Sequence, residues 1–146
     1  MRPIKFRAWD PKRKRMFTGD QIEVRDHIKV VLSYGELHIF RHVQSQDEWE
    51  ELIPIEWTGL TDKNGTPIYE GDILKDEERI GLWAVAYHNG RFEAVAISDE
   101  EPAVQICHTP RRASIRGIRL PISWGDKVEV IGNIHQHPEL LTPKES

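Results

Sequence analysis

Apolar and polar positions alternate with a period of two through most of the chain, and that pattern predicts strands. In residues 3–9, PIKFRAW, Ile4, Phe6 and Ala8 share one face and Lys5, Arg7 and Trp9 the other. The run DPKRK reads as turn material. Met16-Phe17 then begins a returning strand, which Thr18-Gly19-Asp20 ends. Residues 28–32 (IKVVL) and 37–43 (LHIFRHV) flank SYGE, a hairpin with Gly35 in its turn. Within it Leu37, Ile39, Arg41 and Val43 share one face, and His38, Phe40 and His42 the other.

Residues 79–87 (RIGLWAVAY) and 91–97 (RFEAVAI) form a second hairpin around HNG. Its first strand is apolar on both faces, which places it centrally in a sheet. The last strand runs from Val128 to Ile134, and Gly132-Asn133 inside it signals a bulge or a close backbone approach. PELL, with Pro138 first, reads as a helical turn.

The period changes once. In residues 45–53, SQDEWEELI, Trp49, Leu52 and Ile53 fall at i, i+3 and i+4. Ser45 followed by Glu48 has the form of a capping box, and Pro54 stops the run. This predicts a short helix, with a loop as the alternative. Between the strands lies TGLTDKNGTPIYEGDIL, residues 58–74. Its Asn64-Gly65 predicts a two-residue type I′ turn, since both residues tolerate positive φ. Residues 98–113 lack periodicity, and IRGIRLPISW is ambiguous between strand and loop.

Short strands, tight turns and little helix point to a small barrel or sandwich-like β domain. The chain has 146 residues, enough for one compact domain, 1–146, with its own core. The opening segment MRPIKFRAWD has no apolar run of signal-peptide length, and no stretch approaches a membrane span. One cysteine, Cys107, excludes an intrachain disulfide and fits a reducing compartment, so a cytoplasmic protein with no membrane partner is expected.

Net charge is −4, without the basic footprint of a nucleic-acid binder. The distribution is uneven. Residues 1–15 hold seven Lys or Arg against one acid, and residues 111–119 hold four Arg and no acid. A solvated surface is the plainer account. The sharper one has Lys12, Arg13, Lys14 and Arg15 meeting Arg111, Arg112 and Arg116 in space to face an anionic partner.

Seven histidines invite a metal reading, and His135-Gln136-His137 is its best pair. On a strand both rings would share a face, with His88, His108 or a carboxylate as a third ligand. Pro138 follows directly, so the pair equally suits a turn. Asp62, Glu70 and Asp72 cluster in the central stretch and could act as general acid and base or hold a divalent cation. The plainer role is acceptance of backbone N–H bonds around turns. Cys107-His108 are adjacent in an extended run, which does not aim one at the other. Gly-x-Ser-x-Gly, Gly-x-Gly-x-x-Gly and the P-loop are absent. No cofactor is expected. Five tryptophans are many for this length, and aromatic residues on a sheet face can stack nucleobases as well as pack a core.

Three blocks, Lys5–Asp10 (KFRAWD), Thr58–Ile73 and VIGNI at Val130–Ile134 with PELL at Pro138–Leu141, resemble the YopX family of small phage and prophage proteins in wording and order. The resemblance is loose over residues 20–50 and 98–125. It implies a mainly β architecture with an SH3-like small barrel in the C-terminal half, about 58–141, and an N-terminal β extension, about 1–57. It makes Asn64, Gly65, Tyr69, Gly71, Asp72, Gly132 and Asn133 structural motif residues. It carries no activity and no catalytic residues.

Three readings of function follow. The first is a non-enzymatic, phage- or prophage-encoded module binding a protein or nucleic acid in the bacterial cytoplasm. The second is a metal-dependent, hydrolase-like enzyme using His135, His137 and a carboxylate. The third is a self-assembling component, a homo-oligomer joined through a strand edge or apolar rim.

Overall fold

The computed structural model describes residues 5–23, 27–77, 81–88, 91–97, 119–121 and 127–141. The chain divides into two compact units, Met1–Trp57 and Thr58–Ser146. The architecture is mainly β. Every strand pairing with a defined register is antiparallel.

The first sheet has the strand order β2-β1-β5-β4-β3, with β6 paired to β5. Its strands are β1 (Phe6–Asp10), β2 (Arg15–Phe17), β3 (Ile28–Ser33), β4 (Glu36–Val43), β5 (Glu48–Thr61) and β6 (Pro67–Tyr69). One face of β1 to β5 buries Ala8, Phe17, Ile28, Ile39 and Leu52, joined by Ile22 from α1 (Gly19–Glu23). Leu52 lies opposite Ile39 and Ala8 opposite Phe17, so the core is built from cross-strand pairs on that face.

The helix expected at residues 45–53 does not form. Gln46 N–H donates to the Val43 carbonyl in a turn, Asp47 takes φ 51°, and β5 begins at Glu48. Residues 48–52 pair with β4 and residues 53–56 with β1. A helix would forgo both ladders, and a short helix has little intrinsic stability to set against them.

Pro54 sits inside this strand without breaking it. Trp57 N–H points to the Lys5 carbonyl, so by alternation the position of Pro54's missing donor points away from β1. On that side the β4 ladder has already ended at Leu52. The helix forms instead where a strand-ending turn was expected. Thr18 Oγ1 accepts Gln21 N–H at 3.4 Å and Gln21 Oε1 accepts Thr18 N–H at 3.1 Å, a reciprocal capping box.

Turn chemistry also differs from expectation. The type I′ conformation, positive φ at both central residues, occurs at Tyr34 (51°) and Gly35 (79°). In the central stretch only Gly65 of the Asn64-Gly65 pair has positive φ, 81°. Gly65 N–H donates to the Asp62 carbonyl (3.0 Å) and Asp62 N–H to the Thr66 carbonyl (2.8 Å). This is a three-residue connection with glycine in the left-handed position.

The second sheet has the order β10-β9-β8-β7-β11. Its strands are β7 (Asp72–Asp76), β8 (Leu82–His88), β9 (Arg91–Ala96), β10 (Arg119–Pro121) and β11 (Val128–Asn133). β8 is central, as its two apolar faces predict. Trp83 and Val85 pack with Ile68, Leu74, Ala94 and Val128 on one side. Ala84 and Ala86 pack with Ile73, Val95, Ile134 and Leu141 on the other.

His88 pairs with Arg91 and closes the second hairpin, whose Asn89-Gly90 lies outside the described residues. The bulge expected in the last strand appears as a register shift between Val130 and Gly132. Pro138–Leu141 is a 3-10 helix. The expected SH3-like barrel is met only in its β content. Among the described residues the ladder is open, ending at β10 and β11. No described helix is long and apolar enough to cross a membrane.

Candidate functional site

The carboxylates of the central stretch are directed at backbone. Asp62 is 5% exposed. Its Oδ1 accepts N–H bonds from Asn64 (2.9 Å) and Thr66 (2.8 Å), and its Oδ2 accepts one from Val130 (3.0 Å). Burial alone would raise its pKa. The N–H bonds from Val130, Thr66 and Asn64 outweigh burial and hold the carboxyl below the ordinary aspartate value. Asp62 therefore ties the β5–β6 connection to β11. Asp72, also buried, accepts Tyr69 N–H at 2.8 Å and organises the turn into β7. Glu70 lies in that turn.

Gly71 has φ 82°, donates its N–H to the Val85 carbonyl and accepts Ile134 N–H, both at 2.8 Å. The positive φ there strains any L side chain, and a Cβ would also press Ile134 Cγ1 at 3.3 Å.

The His-x-His pair lies in the turn after β11, not on a strand face, so the shared-face argument for joint ligation is gone. Asn133 organises this turn. Its Oδ1 accepts N–H bonds from His135 (3.1 Å) and Gln136 (2.8 Å), and its Nδ2 donates to Gln136 Oε1 (2.6 Å). His137 Nδ1 accepts Asn133 N–H at 3.2 Å, which puts the ring proton of neutral His137 on Nε2. That ring lies against Gly132, where a Cβ would come within 2.7 Å of Nδ1. Among the described residues no three His, Cys, Asp or Glu are grouped to hold a metal ion. Cys107, His108 and the side chain of His88 lie outside them.

In the first unit the basic segment is partly engaged. Asp10, 1% exposed, accepts the N–H groups of Lys12 (3.0 Å) and Arg13 (3.2 Å) at Oδ1. Its Oδ2 accepts the guanidiniums of Arg13 (3.2 Å) and Arg41 (3.1 Å). Burial pushes its pKa up, the Arg13 N–H and the two guanidiniums push it down, and the net direction is down. Glu50 takes Arg13 at 2.8 Å and Lys12 at 3.0 Å. Arg15 lies 4.9 Å from the centre of the Phe17 ring. Lys14, exposed at φ 51°, is at the turn. Arg111, Arg112 and Arg116 lie outside the described residues, so the meeting of the two basic segments does too.

The other face of the first sheet carries a constellation that sequence reasoning saw only in half. His38 and Phe40 stack with centroids 6.2 Å apart. His42 lies directly across from Trp49, with ring centroids 5.0 Å apart. Lys29, Phe40 and Glu51 form one cross-strand row. His38 Nδ1 contacts Glu51 at 2.7 Å and His42 Nε2 contacts Asp47 at 3.0 Å. Trp49 remains 49% exposed. The shared face of His38, Phe40 and His42 was legible. The helical spacing of residues 45–53 conceals Trp49, and only the β4–β5 register brings it beside them.

Comparison with known proteins follows from this geometry. A model of the YopX protein family matches residues 5–142. The chain belongs to the YopX family. A crystal structure of protein EF1440 from Enterococcus faecalis is similar, at 26% identity and TM-score 0.51 over 97% of this chain and 99% of that one. No curated protein matches significantly. As a YopX-family member the chain acquires no assigned activity from these matches.

Proposed function

We propose that this YopX-family chain is a non-enzymatic binding module, encoded by a phage or prophage and working in the bacterial cytoplasm on a protein partner that presents a cationic segment. The observation that carries the reading is the open aromatic face of β4 and β5. There half-exposed Trp49 lies beside His42 and Phe40, with the carboxylates of Glu36, Asp47 and Glu51 around them. An indole face attracts Arg or Lys, and the Lys29 ammonium already lies 6.0 Å from the Trp49 ring centre.

The exposed carboxylates favour a basic peptide over nucleic acid, as does the engagement of Lys12 and Arg13 by Asp10 and Glu50. Asp62 and Asp72 support the non-enzymatic reading because their oxygens serve backbone N–H groups. On this reading the second unit is scaffold with its own core. Its strand order, four successive strands with the last strand returning beside the first of them, is compatible with an SH3-like barrel.

The test is titration at low salt with an oligoarginine peptide and, separately, with single-stranded oligothymidylate. The peptide should bind, Trp49→Ala should weaken it at least threefold, and the oligonucleotide should not compete. Absence of peptide binding, or equal binding by Trp49→Ala, overturns the reading.

A further inference from the structure

The edge of the first sheet offers a separate surface. β3 ends that sheet, and among the described residues it pairs only with β4. Its six residues, IKVVLS, carry one charge, Lys29. The opposite edge strand, β2, has only three residues and starts with Arg15. Ile28, Val30 and Leu32 share a face by alternation. Ile28 is in the core, but Val30 is 51% and Leu32 75% exposed, and Tyr34 at the turn is fully exposed. An apolar stripe thus leaves the core and continues into solvent beside an open hydrogen-bonding edge, which is the arrangement that pairs with another strand.

We propose that the occupant is a second copy of this chain, with β3 pairing antiparallel to β3 of that copy about a two-fold axis at Val31. An axis perpendicular to the sheet keeps each face continuous, so opposed residues must belong to the same face. Centring on Val31 satisfies this condition. Val30 then faces Leu32 of the second copy and Leu32 faces Val30, which covers both exposed side chains. Ile28 faces Tyr34.

Charge fits the same register. Lys29 faces Ser33 of the second copy, and Ser33 is the cross-strand neighbour of exposed Glu36 in its own hairpin. In this register the Lys29 ammonium, which lies over Trp49 in the single chain, can swing outward to the Glu36 carboxylate of the other copy. Sliding the centre to Val30 sets Lys29 against Val31, and sliding it further to Lys29 opposes two ammonium groups. The lone lysine on the edge selects the register. The edge and the Val30–Leu32 stripe are separate from the peptide-binding face, whereas Lys29 and Glu36 lie on that face; self-association is therefore measured without peptide, so the two readings fail separately.

Light scattering and cysteine cross-linking test it in a Cys107→Ser background. The chain should scatter at twice its monomer mass. Leu32→Lys, at an exposed position that folding tolerates, should scatter as a monomer with an unchanged circular dichroism spectrum, and Leu32→Val should remain dimeric. Val31→Cys should oxidise rapidly to a covalent dimer. Lys29→Cys should not, because its symmetry mate lies about 13 Å away along the strand, four residues at roughly 3.3 Å each. A monomer at millimolar concentration, a dimer that survives Leu32→Lys, or equal cross-linking at positions 29 and 31 would each overturn it.

Discussion

The two sheets differ in how much of their side-chain chemistry is spent on their own fold. In the second unit both faces of the sheet are packed with apolar residues, and Asp62, Asp72 and Asn133 are buried with their oxygens on backbone N–H groups. In the first unit the described core cluster lies on one face, and the other face buries Trp9 and Ile55 at β1 and β5 but stays open over β4. Asp10 there serves two backbone N–H groups but also two guanidiniums, Glu50 pairs side chain to side chain, and Trp49, Val30, Leu32 and Tyr34 are about half exposed or more. The motif-rich half is thus committed to its own shape. The long sequence motif here builds scaffold, and the proposed binding surface lies away from it.

This contrast can be broken most forcefully in the second core. Ile73→Ala removes a fully buried side chain between Ala84, Val95 and Ile134, and should cost about 2–5 kcal/mol in urea unfolding. Trp49→Ala should cost under about 1 kcal/mol while impairing peptide binding. Comparable losses from the two would erase the distinction between scaffold and surface.

Asp62→Asn replaces an acceptor oxygen with an amide donor against backbone N–H groups, and should cost about 1–3 kcal/mol. If that variant keeps its denaturation midpoint but loses a ligand, Asp62 is functional rather than structural.

Gly132→Ala should cost about 1–3 kcal/mol by driving a methyl group into the His137 ring. Adding His137→Ala should recover part of that loss. A purely additive double mutant would show that the ring is not the obstacle.

The pH dependence sharpens the comparison further. Both Asp62 and Asp10 have folded pKa values below the unfolded one. Each therefore contributes stability that is fully present above the unfolded aspartate pKa of about 3.9 and is lost as pH falls through the folded value. Melting temperature should fall in acid, and Asp62→Asn should flatten that fall. An unchanged acid slope in the variant would contradict the geometry. The smallest effect belongs to the exposed Arg13–Glu50 pair: Glu50→Gln should scarcely move the melting temperature, and less so at high salt.

What the sequence determined by itself is local. The double apolar alternation of residues 82–87 fixes β8 at the centre of its sheet, and PELL makes the short helix it promises. Gly132 marks the bulge in the last strand, and alternation puts His38, Phe40 and His42 on one face. Each of these depends on φ, ψ or a period within a few residues.

Only the tertiary structure decided between Ser45-x-x-Glu48 and Thr18-x-x-Gln21, two stretches with the same capping signature. The second caps a helix that buries Ile22. The first was overruled because β4 and β1 offered residues 48–56 two hydrogen-bonded ladders and a core position for Leu52. Helix propensity differs by only tenths of a kcal/mol per residue, and long-range pairing exceeds it. Trp49 reached the aromatic face by that same choice, so the candidate binding surface became visible only with the strand register.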